Sequence, residues 1–187
     1  MLLFASAMTY YVRNLPHWQP PGKEIFITWR LYGSLPAHFR TPRRENSPGK
    51  RFRTYDRLLD LAGIGPLWLN DPRIAECVIA ALKKGEMERM FQLHAYVVMA
   101  NHVHVLLEPK LPIARITRMI KGSTAREANR LLGRTGMRFW QEESFDHWIP
   151  NAEETRRVRT YIERNPVAAG LVQKPEEWIW SSVAQSK

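Results

Sequence analysis

Cysteine, acidic side chains and long apolar runs are all scarce in this sequence. The only cysteine is Cys77, which excludes an internal disulfide framework and fits a reducing compartment. No apolar run reaches the roughly 18 residues that a bilayer crossing needs, so we expect no membrane partner. A Gly-rich phosphate loop is also lacking, and no nucleotide cofactor is expected. Together these absences favour a cytoplasmic protein.

The shortage of acidic side chains leaves the chain strongly basic. Its 18 Asp and Glu residues face 28 Lys and Arg residues, which gives a net charge of +10. Such a charge suits a polyanionic partner, and nucleic acid is favoured over a membrane surface. The length of 187 residues fits one domain, 1–187. We expect the domain to have an N-terminal arm at 1–23 and a basic loop at 40–57. The loop contains only two acidic residues, Glu45 and Asp56, and is expected to be mobile on the surface.

Hydrophobic periodicity and turn residues predict six elements of secondary structure. They are a strand at 24–33, a helix at 71–89, strands at 93–99 and 102–108, a helix at 113–132 and a helix at 151–165. Asp71 and Asn151 are the expected N-caps of the first and last helices. Asn101 suits the positive φ of a tight turn between the second and third strands. Pro166 is expected to end the last helix, because proline disfavours helical geometry in the residue before it.

The order of these elements predicts an α+β fold with a ferredoxin-like antiparallel sheet, whose fourth strand the sequence does not reveal. The helix at 113–132 has an apolar stripe that includes Ile116, Met119 and Ile120, and basic residues lie largely off that stripe. We expect the two amphipathic helices to cover one face of the sheet. The terminal helix is then expected on the other face.

Two histidines, His102 and His104, lie one residue apart in an otherwise apolar strand. Residues two apart in a strand share a face, so the histidines point one way while Val103, Val105 and Leu107 point the other way. We expect the three apolar residues to pack on the amphipathic helices and the histidines to face the terminal helix. A strand would hold two metal ligands rigidly.

Taken alone, the histidine pair fits a solvated polar face better than a metal site, which needs a third ligand. His94 on the preceding strand is a candidate third ligand for zinc, although it fits an ordinary strand residue better. The helical His-Glu-x-x-His pattern of many zinc hydrolases is missing from the sequence. A zinc hydrolase is therefore the weakest of the functions considered.

The terminal helix supplies a tyrosine and an amide on one side, because Arg157, Tyr161 and Asn165 are each four residues apart. With the histidine pair, this helix makes the chain resemble the REP-associated tyrosine transposases, which are single-tyrosine members of the HUH endonuclease superfamily. The resemblance covers most of the chain and rests on residues 13–22, 97–109, 121–136, 139–149 and 161–172. Its most specific part is the His-x-His pair followed by Tyr-x-x-x-Asn-Pro-Val-x-Ala-Gly-Leu-Val.

The resemblance implies a nuclease and strand transferase that acts on single-stranded DNA, commonly a hairpin, in a bacterial, nucleoid-associated setting. It implies that His102 and His104 bind a metal, that Tyr161 is the nucleophile and holds the DNA 5′ end, and that Asn165 is the amide ligand. Nitrogen and oxygen ligands together are compatible with Mg²⁺ or Mn²⁺. A phenol has a pKa of about 10, so the site must favour the phenolate or remove its proton during the attack. Arg157 and a hydroxide on the metal are the candidates for this role.

Candidate DNA-binding residues come from three parts of the sequence. They are Arg115, Lys121 and Arg126 on the basic side of the helix at 113–132, Arg13, His17 and Trp18 in the N-terminal arm, and Arg157 beside the tyrosine. A catalytically inactive nucleic-acid-binding module on the same fold is the main alternative, although the intact tyrosine and histidines disfavour it. The resemblance favours a monomer, with a dimer as the other option.

Overall fold

The computed structural model of the chain describes residues 9–12, 16–19, 22–35, 56–60 and 65–185. Its strands are β1 (Thr9–Val12), β2 (Pro16–Gln19), β3 (Ile25–Arg30), β4 (Phe91–Val98), β5 (His102–Pro109) and β6 (Phe145–Trp148). Its longer helices are α1 (Pro72–Met87), α2 (Ile113–Leu131) and α3 (Ala152–Ala168). Residues 56–60 are also helical.

Four of the strands form one antiparallel sheet in the order β4-β5-β3-β6, and β1 pairs with β2 in a separate hairpin. The predicted α+β fold with a ferredoxin-like sheet is confirmed. Strand β6 is the fourth strand, which the sequence did not reveal. Its four residues are all only partly buried, so it lacks the alternation of apolar and polar residues that identifies a half-buried strand.

The two faces of the sheet carry separate apolar clusters. Val103, Val105 and Leu107 of β5 belong to a large cluster with buried residues of α1 and α2. Leu106 lies on the opposite face, in a smaller cluster that includes Ile162 of α3. The terminal helix therefore covers the histidine face, as the strand pattern predicts.

The N-caps follow the sequence, but the end of the last helix does not. The side chain of Asp71 accepts a hydrogen bond from the Arg73 backbone, and that of Asn151 accepts one from Glu154. The prediction that α3 ends before Pro166 is wrong, because the helix continues to Ala168 with Pro166 buried inside it. Proline lacks a backbone N–H, yet burial of its ring favours the helical arrangement over one more turn.

Three smaller predictions are also wrong. Asn101 does not have a positive φ, since Arg89 is the one residue other than glycine with a positive φ in the part of the chain that the structure describes. The side chain of Met119 is 41% exposed although it belongs to the predicted apolar stripe of α2. Asp56 is buried in the 56–60 helical segment instead of lying on the surface. Residues 40–55 of the predicted basic loop lie outside the described residues.

The outer edge of β4 is covered by the chain itself. The Val98 backbone donates a hydrogen bond to the Trp180 carbonyl at 2.9 Å, and the Ser182 backbone donates to the Tyr96 carbonyl at 2.9 Å. Ser181 makes an antiparallel bridge with Val97 between these two bonds.

Within the described ranges, no helix combines the length and the apolar character that a membrane crossing requires.

Candidate active site

The two histidines lie side by side on the face of the sheet that α3 covers. Strand alternation points both rings the same way, and the side chains of His102 and His104 are 1% and 0% exposed. Their Nε2 atoms are 3.1 Å apart. Two imidazole nitrogens are thus directed to one point inside the protein.

A carboxylate that was predicted to lie in a surface loop completes this cluster. Asp56 is 3% exposed, and its Oδ1 atom lies 3.0 Å from Nε2 of His104 and 3.6 Å from Nε2 of His102. Asp60, one helical turn later, has its Oδ1 atom 3.9 Å from Nε2 of His102. The available sequence signal was the four-residue spacing of the two aspartates, which places both on one side of a helix. The basic residues around them are typical of a surface loop, so the spacing was not interpreted as a helix.

Asn165 reaches the same cluster from helix α3. Its Nδ2 atom donates a hydrogen bond to Oδ2 of Asp56 at 3.2 Å. Its Oδ1 atom is buried and has no hydrogen-bond partner among the described residues. A buried amide oxygen without a donor is costly, and a cation beside it would remove that cost.

Tyr161 is one helical turn before Asn165 and is partly buried. Its ring centroid lies 5.8 Å from that of His104 and 6.1 Å from that of Phe26, which it meets edge-on. The next residue, Ile162, is fully buried in the cluster that joins α3 to the sheet. This packing brings the tyrosine, the amide and the histidines together.

Each histidine also has a polar partner on its other ring nitrogen. Nδ1 of His102 is 2.6 Å from Oδ1 of Asn101, and Nδ1 of His104 is 2.7 Å from Oγ1 of Thr28 on the neighbouring strand β3. A hydroxyl both donates and accepts, so Thr28 can serve either tautomer of His104. Such partners fix the ring orientation and leave both Nε2 atoms directed at Asp56.

Burial and neighbouring charges shift the pKa values of the cluster in different directions. Burial and the neighbouring His104 lower the pKa of His102 to about 3, so His102 is neutral at pH 7. Burial alone would raise the pKa of Asp56, but His104, His102 and the hydrogen bond from Asn165 outweigh it and keep that pKa below its usual value. Burial and the nearby Asp56 raise the pKa of Asp60 to about 7. A neutral imidazole and an ionised carboxylate are the forms that bind metal ions.

These side chains fit a divalent cation. The candidate ligand atoms of Asp56, His102 and His104 all lie within 4.8 Å of one another. His94 does not join them, and its Nε2 atom instead lies 3.5 Å from Oε1 of Glu24. The donor set of two nitrogens and a carboxylate, with the unpartnered oxygen of Asn165 nearby, suits a metal such as Mg²⁺, Mn²⁺ or Zn²⁺.

A cavity of about 530 Å³ opens beside Tyr161 on the surface of α3. It is lined by Arg156, Arg157, Thr160, Tyr161, Arg164, Asn165 and Ala168. Arg157 lies on this surface and pairs with Glu154 at 3.0 Å. The guanidinium groups give the approach to the tyrosine a positive charge, which suits an anionic ligand.

The other candidate DNA-binding residues lie elsewhere. Arg115 and Arg126 are exposed on α2, which packs on the sheet face opposite the histidines. The Lys121 ammonium donates to the Gln141 and Glu142 carbonyls at 2.8 Å each and to the Ser144 hydroxyl at 3.3 Å, so it ties α2 to the segment before β6. His17 and Trp18 are in β2, opposite Tyr11 and Tyr10, and Arg13 lies outside the described residues.

Comparison with solved structures finds a protein of the same fold. A REP-associated tyrosine transposase, solved bound to a REP hairpin, has a TM-score of 0.59 and 20% identity, over 93% of this chain and 84% of that chain. A proposed transposase from Deinococcus radiodurans R1 has 18% identity over 83% of this chain and 93% of its own, with a TM-score of only 0.43. The comparison with curated proteins finds no match.

The family comparison covers the central part of the chain. The family model described as "Transposase IS200 like" matches residues 68–165, just over half of the sequence. That range contains the histidine pair, Tyr161 and Asn165 but not Asp56, which lies before it. This protein therefore belongs to the IS200-like transposase family.

Proposed function

We propose that the protein is a metal-dependent endonuclease and strand transferase for single-stranded DNA, with Tyr161 as its nucleophile. The observation that carries this proposal is the contact of the Tyr161 ring with His104, whose Nε2 atom lies within 3.1 Å of His102 and 3.0 Å of Asp56. The proposed nucleophile therefore lies beside the proposed metal ligands. Family membership supports the reaction class.

The cation-binding residues are His102, His104, Asp56 and Asn165. The first three supply two neutral nitrogens and a carboxylate, and Asn165 adds an amide oxygen that lacks a hydrogen-bond donor. A bound Mg²⁺ or Mn²⁺ supplies positive charge beside the scissile phosphate and helps to orient it. Asp56 is an addition to the ligands that the resemblance implies, and it makes the site more anionic.

Tyr161 performs the covalent step. Its phenol oxygen forms a bond with the phosphorus while the bond from phosphorus to the 3′ oxygen breaks, which leaves a 5′-phosphotyrosine and a free 3′ hydroxyl. The phenol loses a proton as it attacks, and the departing 3′ oxygen gains one. The reverse attack by a 3′ hydroxyl rejoins strands without a nucleotide cofactor, because the phosphotyrosine ester conserves the energy of the phosphodiester. Burial of Ile162 keeps the helix in place during both steps.

The basic cavity beside Tyr161 is the proposed path of the DNA backbone. Arg156 and Arg164 are eight residues apart on α3, so they lie roughly 12 Å apart along the helix axis, on either side of the tyrosine. Guanidinium groups bind phosphate well because their donors match its geometry. The solved transposase with this fold was bound to a REP hairpin, which favours hairpin DNA as the substrate class.

The test is adduct formation with labelled hairpin DNA from repeats that flank the gene. We expect a covalent protein–DNA adduct that survives SDS, requires Mg²⁺ or Mn²⁺ and is absent from Tyr161→Phe. Tyr32→Phe is the matched control, since Tyr32 is exposed and stacks with Arg138 instead of facing the histidines. Binding of the hairpin without an adduct would support the inactive binding module. Zinc-dependent cleavage that survives Tyr161→Phe would refute the tyrosine mechanism.

A further inference from the structure

The side chain of Asn101 lies between the first histidine and the 56–60 helical segment. It is 1% exposed and makes two short contacts. Its Nδ2 atom donates a hydrogen bond to the Leu59 carbonyl at 3.0 Å, and its Oδ1 atom lies 2.6 Å from Nδ1 of His102. The same amide therefore contacts a metal-binding histidine and the segment that contributes Asp56.

These two contacts determine where the proton of His102 resides. A backbone carbonyl can only accept a hydrogen bond, so the Asn101 nitrogen must face Leu59 and its oxygen must face His102. An amide oxygen also only accepts, so Nδ1 of His102 carries the proton. Because a neutral imidazole has one N–H, the Nε2 atom has its lone pair free toward His104 and Asp56.

The backbone around Asn101 makes this arrangement rigid. The Leu31 backbone donates to the Asn101 carbonyl at 2.8 Å, and the Leu69 backbone donates to the Ala100 carbonyl at 3.2 Å. The Met99 backbone donates to the His102 carbonyl at 2.9 Å and closes the hairpin. The amide is thus held from both sides of the turn, so its orientation toward His102 does not depend on a mobile loop.

We propose that Asn101 is a positioning residue that presets His102 in its metal-binding tautomer and fastens the Asp56 segment to the histidine strand. The proposal rests on the proposed function, because it assumes that a metal binds at this cluster. Thr28 plays a different part at His104, since its hydroxyl accommodates both tautomers. Loss of a polar partner of this kind costs about 10- to 100-fold in metal affinity. We expect this loss when Asn101 is replaced by alanine.

The first readout is the tautomer of His102 in the metal-free protein, measured by long-range ¹H–¹⁵N correlation NMR at pH 7. We expect a protonated Nδ1 and an unprotonated Nε2 in the wild-type protein. A wild-type His102 protonated at Nε2 would overturn the inference. This readout needs neither metal nor DNA, so it can fail while the proposed function stands, and it can succeed when no adduct forms.

The second readout is the dissociation constant for Mn²⁺, measured by calorimetry on purified variants. Asn101→Ala should raise this constant by about 10- to 100-fold and should lose the fixed Nδ1 proton of His102. Asn129→Ala is the matched control, because Asn129 is also a buried amide that donates to a carbonyl, that of Met137, and it lies in α2 away from the histidines. It should lower stability without changing the Mn²⁺ affinity.

Asn101→Asp separates the two contacts and keeps the test decisive if the alanine variant does not fold. A carboxylate still accepts from Nδ1 of His102 but cannot donate to the Leu59 carbonyl. We expect Nδ1 to remain protonated and the Mn²⁺ affinity to fall less than in Asn101→Ala. If folded Asn101→Ala binds Mn²⁺ as tightly as the wild type, or if Nδ1 of His102 loses its proton in Asn101→Asp, Asn101 does not position the ligand.

Discussion

Truncation of Ile162 should separate the stability of the protein from the placement of its tyrosine. Ile162 is 0% exposed and lies in the small cluster between α3 and the histidine face, together with Phe26 and Leu106. Replacing a buried isoleucine by alanine costs about 2–5 kcal/mol. For a chain of this size each kcal/mol lowers Tm by about 2–4 °C, so we expect Ile162→Ala to melt about 4–20 °C lower than the wild type.

The matched control is Ile116→Ala, since Ile116 is also 0% exposed but packs in the cluster on the opposite face. The two variants should lose similar stability, measured by thermal denaturation. Only Ile162→Ala frees the helix that carries Tyr161, and a shift of about 1 Å can slow a reaction by about 100-fold. We therefore expect a 10- to 100-fold slower single-turnover adduct formation for Ile162→Ala alone, at a temperature where both variants are folded. Equal rates in the two variants would show that this cluster does not place the tyrosine.

Three further predictions concern packing, charge and pH. Gly85→Ala should destabilise the protein by about 1–3 kcal/mol in urea denaturation, because the new Cβ would lie 2.5 Å from Cε1 of the buried Phe91 ring. The control Gly122→Ala places its Cβ in open space on α2 and should stabilise the protein by about 0.5–1 kcal/mol. Lys121→Met should lower the free energy of unfolding by about 1–3 kcal/mol, because it removes three hydrogen bonds. If the variant instead binds DNA more weakly at unchanged stability, Lys121 is a DNA contact. Asp60 has a pKa of about 7 in the folded protein, against a reference value of 3.8. Its contribution to the stability of the metal-free protein is therefore fully present below about pH 4 and is lost as the pH rises through 7. Asp60→Asn should therefore equal the wild type near pH 4 and exceed its stability by about 2 kcal/mol at pH 8, after allowance for partial solvent screening; no pH-dependent difference would refute the raised pKa.

The sequence predicts most of the sheet and the location of the histidines. Strand alternation predicts that His102 and His104 lie on one face of the sheet and Val103 and Val105 on the other face. The structure has this arrangement. The three longer helices were predictable from apolar periodicity and from the caps at Asp71 and Asn151. These features depend on residues close together in the chain, so local patterns contain the necessary information.

The burial of Asp56 could not be predicted, because it depends on distant parts of the chain. Its partners His104 and Asn165 come from β5 and α3, and its sequence neighbours are basic and typical of a surface loop. The contact of Asn101 with Leu59 has the same character, since 42 residues separate the two. Side chains at such sites are placed by tertiary packing, which overrides local composition.

Strand β6 shows a second limit of sequence patterns. It is four residues long and partly exposed throughout, so neither burial nor alternation distinguishes it from a loop. Its pairing with β3 and the three hydrogen bonds that Lys121 donates just before it hold it in the sheet. Short edge strands of this kind depend on their neighbours more than on their own residues.

The covered edge of β4 limits how two copies of this chain could associate. An open strand edge offers unpaired backbone groups to any extended segment, including the same strand of another copy. Here Trp180 and Ser182 already pair with the backbone groups of Val98 and Tyr96, so a second copy could pair with this end of β4 only after displacing residues 180–182. Strand addition by a second copy at this end of β4 is therefore opposed by the chain's own backbone pairing.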